Sequence, residues 1–337
     1  MPMIKFAFFV GLTIFAAGCV APNKQGAKLP SAEAVQKLSA AAQVAGGQLE
    51  LTAGAPVSLN LYDGNNPLKG KGGLNVRVTD AWLAHVVGFT TLTNLDLANC
   101  DIRGPGLAHV SQLGDLRRLN LTLTPVTDDS LAALAGLTRL QVFSLASTHC
   151  TGRGFRALGA LQDLRNLNFH YTPVDDDGLR EISRLTQLER IEIVHTQFTD
   201  AGAVHLAKIT GLRRLQLGSR KATGASIAAV AKLPALRELD LHDGQASAEG
   251  VRHAAGIASL RVLRVYGAIG DAGVAPLSQL VGLEELVAPS CGLTDASVET
   301  LVALKKLLRI NLSGNKISEA GMARLRAALP LCEIVVR

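Results

Sequence analysis

From Leu92 onward the apolar positions of the chain fall into a recurring unit. It reads L-x-x-L-x-L, then Thr, Cys or Asn three residues on, an apolar residue two later, and finally T-D-x-G-L-x-x-L-x-x-L. Copies begin at Leu92, Leu116, Leu140, Leu164, Leu188, Leu212, Leu236, Leu260, Leu283 and Leu307, with a step of 24 residues except for the copy at Leu260, which is one short. The first half alternates at the strand period of two, so Leu119 and Leu121, or Leu239 and Leu241, should point inward together. The second half, as in Leu131, Leu134 and Leu137, has helical spacing. Each unit therefore predicts a strand, a turn and a helix whose apolar face only neighbouring units can bury. Ten units occupy residues 92–330, and Leu331, Ile334 and Val336 supply a closing strand over 331–337.

Residues 31–91 precede the units as an N-terminal cap and a first atypical repeat. Ser31 to Ala45 reads as a helix with Val35, Leu38 and Ala42 on one face, Ser31 as N-cap and Gly46-Gly47 as stop. Gln48–Thr52 and Val57–Leu61, split by Ala53-Gly54-Ala55-Pro56, read as a hairpin. Helix and hairpin together would cover the first layer of a stack, which needs such a lid. Between Leu61 and Val76 lies an insertion with Asn65, Asn66, Lys69 and Lys71, either mobile or functional.

The T-D-x-G-L half-unit resembles that of bacterial leucine-rich-repeat proteins, many of them lipoproteins. It is also similar to the repeats of ribonuclease inhibitor and of F-box leucine-rich proteins. The resemblance covers residues 57–337, and Ser31–Leu61 looks like the same group's cap. It implies an α/β fold, a right-handed horseshoe solenoid with a parallel concave sheet and convex helices, and it says little about function. It also implies that position nine of the unit (Cys100, Thr124, Thr148, Thr172, Thr196, Cys291 and Asn315) is buried behind the strand and hydrogen-bonds the turn backbone, forming a ladder along the stack. That position lapses to Arg220, Gly244 and Gly267 or Ala268 in units six to eight, as a bend or as sequence drift. Thr127-Asp128, Thr199-Asp200 and Thr294-Asp295 are expected to cap the helices that follow them.

Aromatic residues make up 4% of the chain against 48% hydrophobic, which suits thin aliphatic layers. The net charge of +6 comes without a basic run or interleaved aromatics, so nucleic acid is not indicated. Residues 1–18 read as a signal peptide: Lys5 is followed by a short apolar run, Phe6 to Phe15, then by Ala16-Ala17-Gly18-Cys19. Such a run is well under the roughly 20 residues that span a bilayer. Small residues before a Cys resemble a lipobox, although Ala16 stands where Leu is usual. The resemblance implies cleavage, lipidation of Cys19, a tether over 19–30, and a lipid-anchored place in the bacterial cell envelope. Val20 after the Cys points to the outer membrane. An ordinary secretory signal and an uncleaved anchor are the alternatives.

No catalytic motif is present, and neither an enzyme activity nor a cofactor is expected. Gly70-Lys71-Gly72-Gly73 lacks phosphate-loop spacing, and Asp175-Asp176-Asp177 lacks the spacing of a calcium loop and suits a helix start. Strands lie about 4.8 Å apart, which puts His170 and His242 some three layers, roughly 14 Å, from each other. Only His170 and His195 could then approach, and no metal site is expected. By the same ruler Cys100, Cys150, Cys291 and Cys332 lie too far apart for disulfides, which need Cα atoms within about 7 Å, and read as small buried hydrophobes.

What remains is the concave face. Its outward positions in units four to eight include Asn168, His170, Tyr171, Glu192, His195, Asp240, His242, Asp243, Arg264 and Tyr266, richer in rings and charge than the strands before them. This is either an interaction surface or a solvated sheet face. Tyr171, His195, His242 and Tyr266 are expected to project together, each from the same part of its unit. An arginine series (Arg117, Arg118, Arg165, Arg190, Arg213, Arg214, Arg237, Arg261 and Arg309) either meets anionic groups of a partner or pairs with Glu189, Glu238, Glu284 and Glu285. The function predicted is an envelope-anchored binding scaffold for a protein or an acidic envelope polymer, held at the membrane by its lipid. The competing reading is a structural spacer with no discrete ligand.

Overall fold

The computed structural model describes residues 30–62 and 75–336. The expected leader, Cys19, nearly all of the tether and the Gly70–Gly73 loop lie outside the described residues. Ser31 caps the helix Ala32–Val44, its hydroxyl accepting from the Ala34 N–H, and Leu38 and Ala42 are buried under it. Gln48–Thr52 and Ala55–Asn60 form the antiparallel hairpin, turned by Ala53 and Gly54 at positive φ. The second hairpin strand then pairs in parallel with Asn94–Asp96, and among the described residues the sheet runs through 13 strands, from Gln48–Thr52 to Glu333–Val335.

One inward position stays in register from strand to strand along the parallel part of the sheet. Leu59, Leu95, Leu119, Phe143, Leu167, Ile191, Leu215, Leu239, Leu263, Leu286, Ile310 and Ile334 stand one behind another. All but Ile334, on the last strand, are buried. Each unit thus repeats one inward apolar residue, Leu in most and Phe or Ile in three, and each layer is closed only by the next. Phe143, Phe155 and Phe169 thicken the third and fourth layers, their ring centroids 6.2 and 5.3 Å apart in sequence. This is the expected parallel, right-handed α/β solenoid.

The convex halves are shorter than the helices that the spacing suggested. Many are a single α-turn running into a 3-10 turn, as in Asp128–Leu131 followed by Ala132–Leu134. Longer helices occur at Asp176–Ile182, Ala248–Ala254 and Glu319–Ala328. A 3-10 turn advances about 2.0 Å per residue against 1.5 Å, so it lets few residues carry the chain back to the next strand.

The Thr-Asp pair does more than cap its own helix. Thr199 and Thr294 accept from the N–H groups of Ala201 and Ala296, as expected, whereas the Thr127 side chain makes no such bond. The Asp reaches instead into the following unit. Asp176 accepts from the N–H (2.7 Å) and the hydroxyl (2.7 Å) of Thr199, and Asp200 does the same at Thr223. Asp128 grips Thr151 and the Gly154 N–H, Asp271 grips Thr294, and Asp295 grips Ser318. At Gly202 the absence of a side chain leaves room for the clamp, because a methyl there would overlap the Asp176 carboxylate. The motif is therefore a clamp between units.

Position nine bonds the turn backbone as expected, although the ladder along the stack is not continuous. Thr124, Thr148 and Thr172 are buried, and each hydroxyl donates back to its own turn, to the carbonyls of Leu121, Leu145 and Phe169. Bonds to a neighbouring unit are made by Thr196, to the Gly218 carbonyl, and by Asn315, to the Ala288 carbonyl. The ladder is thus local turns with occasional cross-links.

Candidate functional site

The residue before position nine turns the chain away from the strand. It has positive φ at Asn99, Leu123, Ser147, Tyr171, His195, Asp243 and Ser290, and at Gly314. Units six and eight lack this left-handed residue, since neither Ser219 nor Gly267 has positive φ. In unit six the register slips instead, and Ser219 pairs with Thr196. Gln245, wholly buried, accepts from the Ser219 N–H and sets its amide near Ser226, rebuilding the turn that Arg220 and Gly244 no longer form. The lapse is therefore a built jog in the sheet rim.

That jog assembles the ring cluster. Tyr171 and His195 stand at position eight of their units, while His242 and Tyr266 stand at position seven of theirs. They nonetheless form one row. Ring centroids are 4.5 Å apart for Tyr171–His195, 6.4 Å for His195–His242 and 4.6 Å for His242–Tyr266. His195 and His242 belong to units five and seven, so the row crosses unit six, where the intervening residue is Gly218. A Cβ there would lie 2.8 Å from His242 Cβ, 2.9 Å from Asp243 Oδ2 and 3.1 Å from Val194 Cγ1. Asp243 passes through this gap. Its carboxylate meets His195 Nδ1 at 3.0 Å and accepts from the His195 N–H at 3.2 Å.

The expected concave projection holds, but the stated reason does not: the four rings come from two unit positions that the jog aligns. The expectation that only His170 could approach His195 is likewise corrected. His170 is engaged by other partners, its Nε2 2.9 Å from Gln216 Oε1 and 3.5 Å from Glu192 Oε2. His195 closes instead on His242, because layer counting cannot see a missing side chain. Tyr171 and Tyr266 are 51% and 43% exposed, so the row ends in two tyrosines open to solvent. Burial, followed by the charges of His170 and His195, pushes His242 down to about 4 against the opposing pull of Asp243.

Beside the row runs a charge network. Arg264 joins Asp240 (3.1 Å), Glu285 (3.0 Å) and Glu238 (3.7 Å), and Arg214 joins Glu238 (3.0 Å). Asp240 is only 3% exposed; its burial raises its pKa more than Arg264 and Arg214 lower it. Arg190 pairs with Glu192, whose carboxyl sits below the usual range although burial opposes this, because His170 and Arg190 both favour its charge. Asn168, half-buried, accepts from the His170 N–H. Of the two readings of the arginine series, internal pairing describes Arg165, Arg190, Arg213, Arg214, Arg261 and Arg309, each within 4 Å of a Glu or Asp.

Cys100, Cys150 and Cys291 are buried, Cys332 is partly exposed, and all four are free. Burial pushes Cys150 up to about 12 and Cys100 higher still. Among the described residues no three His, Cys, Asp or Glu side chains gather as a metal site would require.

Residues 90–109 match the leucine-rich repeat family, and no curated protein matches. Among solved structures the chain is similar to an internalin (inlF) from Listeria monocytogenes str. 4b F2365. The two share 21% identity at a TM-score of 0.55, over 75% of this chain and 76% of that one. It is also similar to internalin C2 (inlC2) from the same strain, at 20% identity and a TM-score of 0.47, over 68% of this chain and 92% of that one. At 21% identity the likeness to the inlF internalin speaks for the leucine-rich-repeat fold alone.

Proposed function

We propose that this leucine-rich-repeat protein is a binding scaffold of the bacterial cell envelope. Its leader would be removed after Gly18, its anchor would be a lipid on Cys19 in the outer membrane, and its ligand would lie across the concave face at units four to eight. Among the described residues no helix is long and apolar enough to cross a membrane. The observation that carries the reading is the row Tyr171–His195–His242–Tyr266, fixed by a dedicated gap at Gly218 and ending in exposed tyrosines. Rigid aromatic side chains that hold place before binding lose little entropy on contact, which is why Tyr is frequent at hot spots.

The internal pairing of the arginines favours a protein over an acidic polymer, because each neutralised guanidinium attracts a polyanion less. The same self-sufficiency of charge is what supports the second reading, a spacer without a ligand. A pull-down from envelope extract with residues 20–337 separates them. A scaffold captures a partner that the Tyr171→Ala/Tyr266→Ala double variant holds at least tenfold more weakly. A partner held equally by both, or none, supports the spacer.

A further inference from the structure

The contact between His195 and Asp243 ties unit five to unit seven over a hole in unit six. The carboxylate takes both a ring nitrogen and a backbone N–H of the same residue, at 3.0 and 3.2 Å. It does so from a left-handed backbone, with φ of 47° at Asp243 and 59° at His195. The groups whose charge reaches His242 are His195 from unit five, His170 from unit four and Asp243 beside it, with Tyr266 of unit eight stacked on its other side. Asp240, Arg264, Arg214 and Glu285 act on Tyr266 beyond. Glu192 is already shared between Arg190 and His170. His195 and His242 therefore have one carboxylate, Asp243, between them.

We propose that this cluster is an acid-operated latch: while His242 is neutral, the His195–Asp243 contact holds the ring row closed, and protonation of His242 parts Tyr171–His195 from His242–Tyr266. A proton on His242 places a cation in a half-buried stack next to His195, where no second carboxylate can offset it. Moving the two rings apart exposes His242 to water and relieves both burdens. Since His242 is held down to about 4, against about 6.5 for a free histidine, the latch stays shut through neutral and mildly acid conditions and opens well below them. It is a property of the unliganded protein and stands apart from whether the row binds a partner.

Histidine and tyrosine ring resonances, followed by NMR from about pH 7 to about pH 3 in the residue 20–337 protein, test it. The expected result is a single step near pH 4 in which the Tyr171 and Tyr266 signals move together with those of His242. His242→Gln should abolish the tyrosine step. Asp243→Gly, which suits the left-handed backbone and removes the carboxylate, should give the acid positions of the tyrosine signals already at neutral pH. The latch is overturned if His242 titrates near 6.5, if the tyrosines stay still while it titrates, or if His242→Gln keeps the step. A step accompanied by loss of far-ultraviolet dichroism is unfolding, and also overturns it.

Discussion

Gly218→Ala places one methyl group where the ring row crosses unit six, and two opposite effects compete there. Gly218 does not have positive φ, so the backbone alone would welcome alanine. Reduced freedom of the unfolded chain would then stabilise by about 0.4–1 kcal/mol. The new Cβ, however, would stand 2.8 Å from His242 Cβ, 2.9 Å from Asp243 Oδ2 and 3.1 Å from Val194 Cγ1. Val194 is 2% exposed and cannot retreat into solvent. Overpacking of this kind costs roughly 1–3 kcal/mol. Displacing Asp243 also breaks its contact with His195, and because these side chains are 17% and 29% exposed we discount that loss to about 1 kcal/mol. The steric and polar costs exceed the entropic gain, and the net expectation is a destabilisation of about 1–3 kcal/mol. Urea denaturation of both proteins at pH 7 measures it, and a Gly218→Ala/Asp243→Gly cycle should show the costs to be less than additive. An alanine variant as stable as the parent, or more so, would refute the gap as a built feature.

Two further expectations concern the stack itself. Asp271→Ala should cost about 1–2 kcal/mol by analogy with a lost cap, since the Thr294 N–H and hydroxyl and the Ser297 hydroxyl all lose their acceptor. Burial would raise the Asp271 carboxyl, but hydrogen bonds from Ser297 and Thr294 outweigh it and hold the group below its usual value. Its contribution is therefore present above about pH 4 and fades as pH falls through the lowered value. Melting curves of parent and variant should converge in acid; a gap that widens there would contradict the clamp. Thiol labelling of residues 20–337 lacking Cys19 should find Cys332 alone reactive in the folded state and Cys100, Cys150 and Cys291 only after denaturation. Reaction of Cys150 in the native protein would show that its layer is open.

Much of this architecture was legible because periodicity in sequence is periodicity in space. A step of 24 residues put every inward Leu behind the last, and Ser31, Gly46 and the Ala53-Gly54 turn marked the cap. The Thr-Asp pair was misassigned in part because an Asp at a helix start satisfies a local rule completely. Only the bonds from Thr199 or Thr223 to the preceding unit disclose the clamp. The candidate residues were found by their place on the strands, whereas their arrangement was not. A glycine at position 218 reads as a weak spot in a strand, and its meaning comes from Val194, His242 and Asp243, which lie 24 or 25 residues away in sequence. Distances counted in layers assume that every layer holds a side chain.

The claim that the ring row meets a partner is tested most directly by photo-cross-linking in the intact envelope. A photoreactive phenylalanine analogue replaces Tyr266 on the concave side in one strain. In another it replaces Arg252, on the convex helix Ala248–Ala254, where its side chain is 63% exposed. The account predicts one discrete cross-linked species from position 266 and none from position 252. Cross-linking from position 252 alone, or from neither position, would contradict it.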